Sequence, residues 1–338
     1  MQLVNKSQIA RLAALTLIFS YAELMLPRVV PFFRLGLGNA ALLMGLALGL
    51  TFPAFMLLAV VKAVAANLMA GTLFSPFFLV SFSQSLVSAL IIFGLWRVSR
   101  AGRAGRKGDG RRLLSLYGIS VCGAAASALV QITLSSLYLG QGTWSLLGPM
   151  LLFNLMSGFI TAWIAEILKG TENCDLCHPR NAPDMAGSQP AHRIRNIFSL
   201  AIILAAAASV FFIKNTAVLC GILLLSFLAQ KLAHRKILLL PHISLWLFVL
   251  LTSIFVPNGR VLFSFAGFSF TEGAAISALQ KALRLSIVNA LSQTAATIKL
   301  TAAPDSLLTL TLAYYSAMSD SFRNTPGSII TKIKAALR

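Results

Sequence analysis

The chain has 338 residues, of which 57% are hydrophobic and only 11% are charged, and its mean hydropathy is +0.82. A soluble domain carries about 25% charged residues, so this composition excludes an ordinary soluble protein and indicates an integral membrane protein. The 28 basic residues far outnumber the 9 acidic ones, but polytopic membrane proteins collect basic residues in cytoplasmic loops, so no nucleic-acid partner is expected.

Apolar runs close to the length of a transmembrane helix, about 20 residues, follow one another along the chain. Six of them precede a polar interval at 169–196, and three follow it. The sequence therefore predicts an all-α polytopic helical bundle, and tilting or partial insertion accounts for the two shorter runs, 37–52 and 216–230. In chain order the runs are 10–27, 37–52, 54–71, 76–96, 113–138, 146–168, 197–213, 216–230 and 237–256, followed by a more amphipathic stretch at 271–301.

A dense basic cluster separates the fourth and fifth runs. It holds seven Lys or Arg residues between Arg97 and Arg112. If the N-terminus is cytoplasmic, the inner loops collect sixteen basic residues and the outer loops only four. This asymmetry predicts an N-terminus inside the cell, because cytoplasmic loops are the ones enriched in Lys and Arg. The cluster could also contact anionic lipid or a partner subunit.

The polar interval 169–196 is the predicted domain boundary, a cytoplasmic linker between a six-span domain (1–168) and a second membrane domain (197–338). It contains Cys174-x-x-Cys177-His178, a pattern typical of c-type haem attachment. The predicted cytoplasmic side argues against haem, which bacteria attach outside the cytoplasm. These three residues, with His192, are also weak candidates for zinc ligands. A plain solvated linker without cofactor is the expectation, and a metal or redox role is the alternative.

Several polar residues fall inside the predicted spans, where burial is costly unless the side chain faces a cavity or a partner. Glu23 and Lys62 have opposite charges and are candidates for an ion pair or a ligand site. Asn67 and Gln84 are further ligand-site candidates. Hydrogen bonds between helices, or extension of Lys62 towards an interface, are the alternatives.

The segment from Pro27 to Asn39 predicts a shaped external loop. Gly36 and Gly38 allow close approach of the backbone, and Asn39 can cap the following helix. A lid over a binding cavity is one interpretation, in which Arg28 or Arg34 contacts an anionic group of the ligand. A rigid outer turn is the other.

With these residues in view, the N-terminal part resembles a known family. Glu23, Pro27, Pro31 and Leu35-Gly-Leu-Gly-Asn39, with Lys62, Gly71-Thr72 and Ser81-Phe-Ser83, resemble the Gx transporter family, also labelled heptaprenyl diphosphate synthase component I. The resemblance covers about residues 8–168. Members of this family look like the six-span substrate-binding (S) components of energy-coupling factor (ECF) transporters of bacteria, which implies a place in the bacterial cytoplasmic membrane.

The C-terminal part more loosely resembles the transmembrane (T) component of the same transporters, through Phe268-Ser-Phe-Thr-Glu272-Gly273 and Arg284. The resemblance implies that Glu272 and Arg284 take part in coupling and that ABC-type ATPase subunits act in trans. A basic amphipathic tail with Lys332, Lys334 and Arg338 suits a membrane surface or a docking face, although a solvated tail is the alternative.

The residues do not support catalysis. Prenyl diphosphate synthases bind Mg²⁺-diphosphate through clustered aspartates, and this sequence contains no Asp-Asp pair and no G-x-x-x-x-G-K-[ST] phosphate loop. We therefore expect a membrane protein that takes up a small molecule, a vitamin or a precursor, without an ATPase of its own. The alternative is a non-catalytic membrane subunit, component I, that supports polyprenyl diphosphate or quinone synthesis. A membrane redox protein is a third hypothesis, and it depends on the Cys174-x-x-Cys177-His178 pattern.

Overall fold

The computed structural model describes residues 6–25, 36–70, 72–73, 75–104, 114–169, 193–232, 239–254, 259–265, 268–295, 307–324 and 326. Within these ranges the chain is a helical bundle, which confirms the predicted fold class. The N-terminal helices are α1 (Lys6–Met25), α2 (Asn39–Ala47), α3 (Phe52–Ala70), α4 (Pro76–Ala104), α5 (Leu116–Leu139) and α6 (Leu147–Lys169). A short 3-10 helix, Gln141–Leu146, connects α5 to α6.

The C-terminal helices are α7 (Arg193–Ser209), α8 (Thr216–Leu232), α9 (Leu239–Ile254), α10 (Glu272–Ala295) and α11 (Leu307–Asn324), with a 3-10 turn at Val210–Phe212. A short antiparallel hairpin, absent from the sequence-based expectation, lies between α9 and α10. Its strands are β1 (Val261–Phe265) and β2 (Phe268–Thr271). The backbone N–H of Glu272 donates to the Arg260 carbonyl (2.9 Å), which ties the start of α10 to the start of the hairpin.

The described helices have the surface of a membrane protein. Three stretches are long and apolar enough to cross a bilayer, Pro76–Arg100, Leu116–Leu139 and Gln141–Ile167. On α6 most of the exposed side chains are large and apolar, whereas several small or polar side chains of the same helix are buried. This inside-out pattern fits a lipid-facing surface around a packed polar interior. The exposed residues include Leu152, Phe153, Met156, Phe159 and Trp163, and the buried ones include Asn154, Ser157 and Thr161.

The second apolar run, 37–52, is not one continuous span. Helix α2 has only nine residues, which at 1.5 Å per residue reach about 14 Å, roughly half of a bilayer core of about 30 Å. It ends at a turn in which Gly49 has a φ of +77°, and α3 begins at Phe52. The run is therefore a buried half-helix followed by a turn, and partial insertion of α2 into the membrane stays a prediction.

Small residues let the long helices approach closely. Gly158 of α6 lies against α5, where a Cβ on it would come within 2.8 Å of the Ala124 Cβ and 3.1 Å of the Val121 Cα. The Ser120 hydroxyl donates to the Gly158 carbonyl across the same contact (2.7 Å). Close backbone contact of this kind is a main source of helix association in membranes.

Replacing Gly158 with alanine is expected to destabilise the protein by about 1–3 kcal/mol, because the added methyl group must push α5 and α6 apart. Gly148, on the same helix, has open space where a Cβ would stand, with no atom within 4 Å among the described residues, so Gly148→Ala is the matched control. Denaturant unfolding of both purified variants in detergent measures the difference. Equal loss of stability in the two variants would contradict this packing.

The C-terminal helices pack directly on the N-terminal ones. Ala10 and Ala14 of α1 form a buried cluster with Tyr314 and Met318 of α11, and the Arg11 guanidinium lies 5.3 Å from the centre of the Tyr314 ring. A second contact joins the end of α5 to α10, where the Lys281 ammonium donates to the Leu139 carbonyl (2.7 Å). A cation at the C-terminal end of a helix is favourable, so this bond stabilises the contact.

Candidate ligand-binding site

A polar cavity lies between the first five helices. It draws side chains from α1, from the start of α2, from the middle of α3, from α4 and from α5. Its volume of about 40 Å³ is room for roughly three water molecules. The lining residues are Ser20, Glu23, Gly36, Gly38, Asn39, Lys62, Ala63, Ala66, Ser81, Gln84, Ser85, Ser88 and Ser127. Four of the seven residues predicted to bind a ligand are among them: Glu23, Asn39, Lys62 and Gln84.

Glu23 secures the start of the half-helix. One carboxylate oxygen, Oε2, accepts hydrogen bonds from the backbone N–H groups of Gly36 and Leu37, both at 3.1 Å. These groups lie just before the first turn of α2, where the aligned peptide dipoles give the helix end a partial positive charge. A buried carboxylate at this position is therefore stabilised, and it fixes the approach of the chain to α2.

The two glycines before α2 meet separate structural needs. Gly36 has a φ of +78°, a conformation that residues with a side chain rarely adopt. At Gly38 a Cβ would stand 2.8 Å from the Ser20 hydroxyl and 3.0 Å from the Lys62 Cε. Close backbone approach, expected from the sequence at both positions, is thus visible at Gly38, which brings α2 against α1 and α3.

Lys62 lies in the middle of α3 and is buried, with only 7% of its surface exposed. Its ammonium group donates to the Asn39 side-chain oxygen. The sequence suggested that Asn39 caps α2, and this prediction was wrong. The N-cap is Gly38, and no side chain caps the helix there. This bond, between two residues of the cavity lining, joins the half-helix to α3.

Two oxygen atoms of the lining have no hydrogen-bond donor among the described residues. They are the second carboxylate oxygen of Glu23, Oε1, and the side-chain carbonyl oxygen of Gln84. The Ser88 hydroxyl, one turn from Gln84 on α4, is also buried without a partner in this part of the chain. An unsatisfied buried polar atom is costly, so these atoms indicate a place where a ligand or water completes the bonding.

Asn67 belongs to the scaffold rather than to the cavity lining. It is fully buried, and its amide nitrogen donates to the Ala63 carbonyl (2.7 Å) and to the Ser81 hydroxyl (3.1 Å). Its side-chain oxygen accepts from the Thr72 hydroxyl (2.9 Å). These bonds join α3 to α4 and to the turn between them, and they hold Ser81 at the edge of the cavity.

The other candidate residues lie elsewhere. Arg28 and Arg34 fall outside the described residues, as do Cys174, Cys177, His178 and His192. Among the residues that the structure does describe, no group of three or more His, Cys, Asp or Glu side chains could hold a metal ion. On α10, Glu272 is exposed at the first position, whereas Arg284 is half-buried and donates to the Ile213 carbonyl (2.7 Å).

Sequence reasoning missed part of the lining. Ser20, Ser88 and Ser127 line the cavity, but the sequence analysis singled out none of them. A usable signal existed on α4, since Ser81, Gln84, Ser85 and Ser88 recur at spacings of three and four and so share one face of a helix. The spacing does not show which helices pack against this face, because that depends on the tertiary structure.

Comparisons with known families match two separate parts of the chain. Residues 12–168 match the family model described as heptaprenyl diphosphate synthase component I. Residues 191–295 match a second model, described as a domain of unknown function (DUF8519). No curated protein and no solved structure matches the chain. The first match confirms the family resemblance of the N-terminal part, and the likeness of the C-terminal part to a T component stays a prediction.

Proposed function

Because residues 12–168 match the heptaprenyl diphosphate synthase component I family, which resembles ECF substrate-binding components, we propose that this membrane protein is a small-molecule uptake component. The observation that carries the proposal is the polar cavity lined by residues of α1–α5. It contains a buried carboxylate and a buried ammonium group, Glu23 and Lys62. Ionisable groups buried in membrane helices are costly, and they commonly mark a ligand or ion pathway.

The half-helix supports this interpretation. Transporter binding sites are often built where a helix is interrupted inside the membrane, because the exposed helix end offers backbone groups to a polar ligand. Here α2 begins beside the cavity, and Glu23 accepts hydrogen bonds from the N–H groups of Gly36 and Leu37, just before the helix begins. The cavity has room for only about three water molecules, so a vitamin-sized ligand would place one polar group in it. Arg28 and Arg34, on the preceding segment, are predicted to contact an anionic part of that ligand.

The direct test is to identify small molecules that co-purify with the full chain. The protein is extracted in mild detergent and analysed by mass spectrometry beside Lys62→Met, which removes a charge that lines the cavity. One compound retained by the natural sequence and lost from the variant is the expected result. The same compounds in both preparations, or none in either, would contradict ligand binding in this cavity.

Uptake also requires the proposed orientation, with the N-terminus and the linker in the cytoplasm of a bacterial cell. Cys174 and Cys177 report on the linker once Cys122 and Cys220 are replaced by serine. A membrane-impermeant maleimide is expected to label the linker cysteines in inverted vesicles and not in right-side-out ones. Labelling in right-side-out vesicles would place the linker outside the cytoplasm and reverse the topology.

Energy for uptake would come from ABC-type ATPase subunits in trans. The C-terminal helices are the proposed contact, with Glu272 and Arg284 of α10 as candidate coupling residues. Arg284 already holds the Ile213 carbonyl at the end of the α7 region, so it links α10 to a neighbouring segment. Co-purification of an ATPase with the chain, weakened in Arg284→Gln, is the expected result.

A second candidate function follows from the description of the matching family, which names a component of heptaprenyl diphosphate synthase. In that case the chain is a non-catalytic membrane subunit that holds a soluble catalytic partner. Capture of a soluble prenyltransferase with an Asp-Asp-x-x-Asp motif, and of no ATPase, would favour this candidate over uptake.

A further inference from the structure

Of the three unsatisfied side-chain atoms in the described lining, two are oxygens that only accept hydrogen bonds, and the third is the Ser88 hydroxyl. Glu23 Oε1 is a carboxylate oxygen and the Gln84 atom is an amide carbonyl oxygen, and neither has a donor among the described residues. Both residues are more than nine-tenths buried, with 8% and 5% of their surfaces exposed. A carboxylate oxygen and an amide carbonyl oxygen both accept hydrogen bonds. Each of these two atoms therefore needs a hydrogen-bond donor as its partner.

The groups that would attract an anion are already in use. Glu23 Oε2 already accepts hydrogen bonds from the N–H groups of Gly36 and Leu37, just before α2. The Lys62 ammonium donates to the Asn39 side chain. A carboxylate or phosphate entering the cavity would therefore compete with a buried carboxylate for these donors, and it would bring a second negative charge close to Glu23.

We propose that the cavity recognises a nitrogen donor group of its ligand, such as an amidine, an amino-heterocycle or a primary amide, with Glu23 Oε1 and Gln84 Oε1 as acceptors. This inference rests on the proposed ligand-binding function and gives it a chemical class. Ser88 contributes a hydroxyl that can donate or accept, since it is buried and has no partner among the described residues. An N–H donor with two hydrogens satisfies more than one of these atoms at once, which an anionic group does not.

Three small probe molecules of the same size test whether the cavity binds a nitrogen donor or an anion, because they differ only in charge and in hydrogen-bonding groups. Acetamidinium carries only N–H donors, acetamide carries one NH₂ group and one acceptor, and acetate carries only acceptors. Each has four non-hydrogen atoms, which fits a cavity with room for about three water molecules. Binding to the full-length protein in detergent is measured by the rise in its unfolding temperature, at equal millimolar concentration and constant ionic strength.

The expected order of binding is acetamidinium first, then acetamide, with no effect of acetate. In Glu23→Gln the new side chain can still direct its oxygen towards the N–H groups before α2, and its NH₂ group then faces the cavity in place of Oε1. Acetamidinium is therefore expected to bind to this variant at least about tenfold more weakly. Gln84→Leu removes the second acceptor and is expected to weaken both donor probes. Thr133→Ala, an exposed position on α5 outside the lining, is the control and should bind like the natural sequence.

Three results would overturn the inference without ending the proposed function. Stronger binding of acetate than of acetamidinium would show that the cavity selects an anion. No binding of any probe, in a protein that still retains a co-purified compound lost from Lys62→Met, would show that this compound is recognised by other chemistry. Equal binding of acetamidinium to the natural sequence and to both cavity variants would also overturn it.

Discussion

Glu23→Leu is expected to lose uptake and to unfold far more easily than the natural sequence. The substitution leaves the N–H groups of Gly36 and Leu37 without the acceptor that now holds them at 3.1 Å. Both residues are half-buried, so each N–H left without an acceptor costs at most about 1–3 kcal/mol, and the approach to α2 loses its anchor. Unfolding in denaturant and uptake of the co-purified compound into cells measure the two effects.

Two variants separate the role of Glu23 from a general loss of charge. Glu23→Gln keeps an oxygen for the half-helix and should recover most of the stability but not the uptake. Glu166 is the matched control, because it is exposed and accepts a hydrogen bond from the Tyr117 hydroxyl on the protein surface (2.6 Å). A Glu166→Leu variant as unstable as Glu23→Leu would contradict the anchoring role of Glu23.

Asn67→Leu and Gln84→Leu are expected to have opposite effects. Asn67 makes hydrogen bonds to Ala63, Ser81 and Thr72, so its replacement removes three hydrogen bonds and lowers the free energy of unfolding by roughly 2–4 kcal/mol. The Gln84 oxygen has no described partner. An apolar replacement there removes an unsatisfied atom and is expected to be neutral or slightly stabilising.

Ligand affinity should show the reverse order. Gln84 lines the cavity and Asn67 does not, so Gln84→Leu should bind the co-purified compound weakly, whereas the folded fraction of Asn67→Leu should bind it nearly as well as the natural sequence. Titration of both purified variants, with unfolding curves from the same preparations, measures this. Parallel losses of stability and affinity in both variants would contradict the division between scaffold and lining.

The helices were largely predictable, since an apolar run of about 20 residues has few alternatives in a membrane. The half-helix was not. Residues 37–52 are apolar throughout apart from Asn39 and Thr51, and hydropathy does not register a turn at Gly49. The hairpin at 261–271 lies in the interval between the predicted runs 237–256 and 271–301, where no element was predicted. Helix α11 was missed because its alternating polar residues lower its mean hydropathy.

The charged residues of the site could be predicted from the sequence, but the way in which the helices bring its residues together could not. Glu23 and Lys62 stand out in any apolar sequence because their burial is costly. Asn67 and Gln84 looked alike from the sequence, since both are amides in apolar runs. Only the packing of α3 against α4 distinguishes them, because it surrounds Asn67 with partners and leaves the Gln84 oxygen without one among the described residues. The roles of Arg28 and Arg34 depend on residues outside the described part.

The contact of α11 with α1 determines whether the N-terminal and C-terminal parts of the protein can be produced as separate fragments. If the chain were cut in the 169–192 segment, an isolated N-terminal fragment would expose Ala10 and Ala14, which Tyr314 and Met318 now cover. The Leu139 carbonyl would also lose the Lys281 ammonium. The two fragments should therefore behave poorly when expressed singly and reassociate when co-expressed. Split-protein reconstitution is thus a practical route to labelling each half separately.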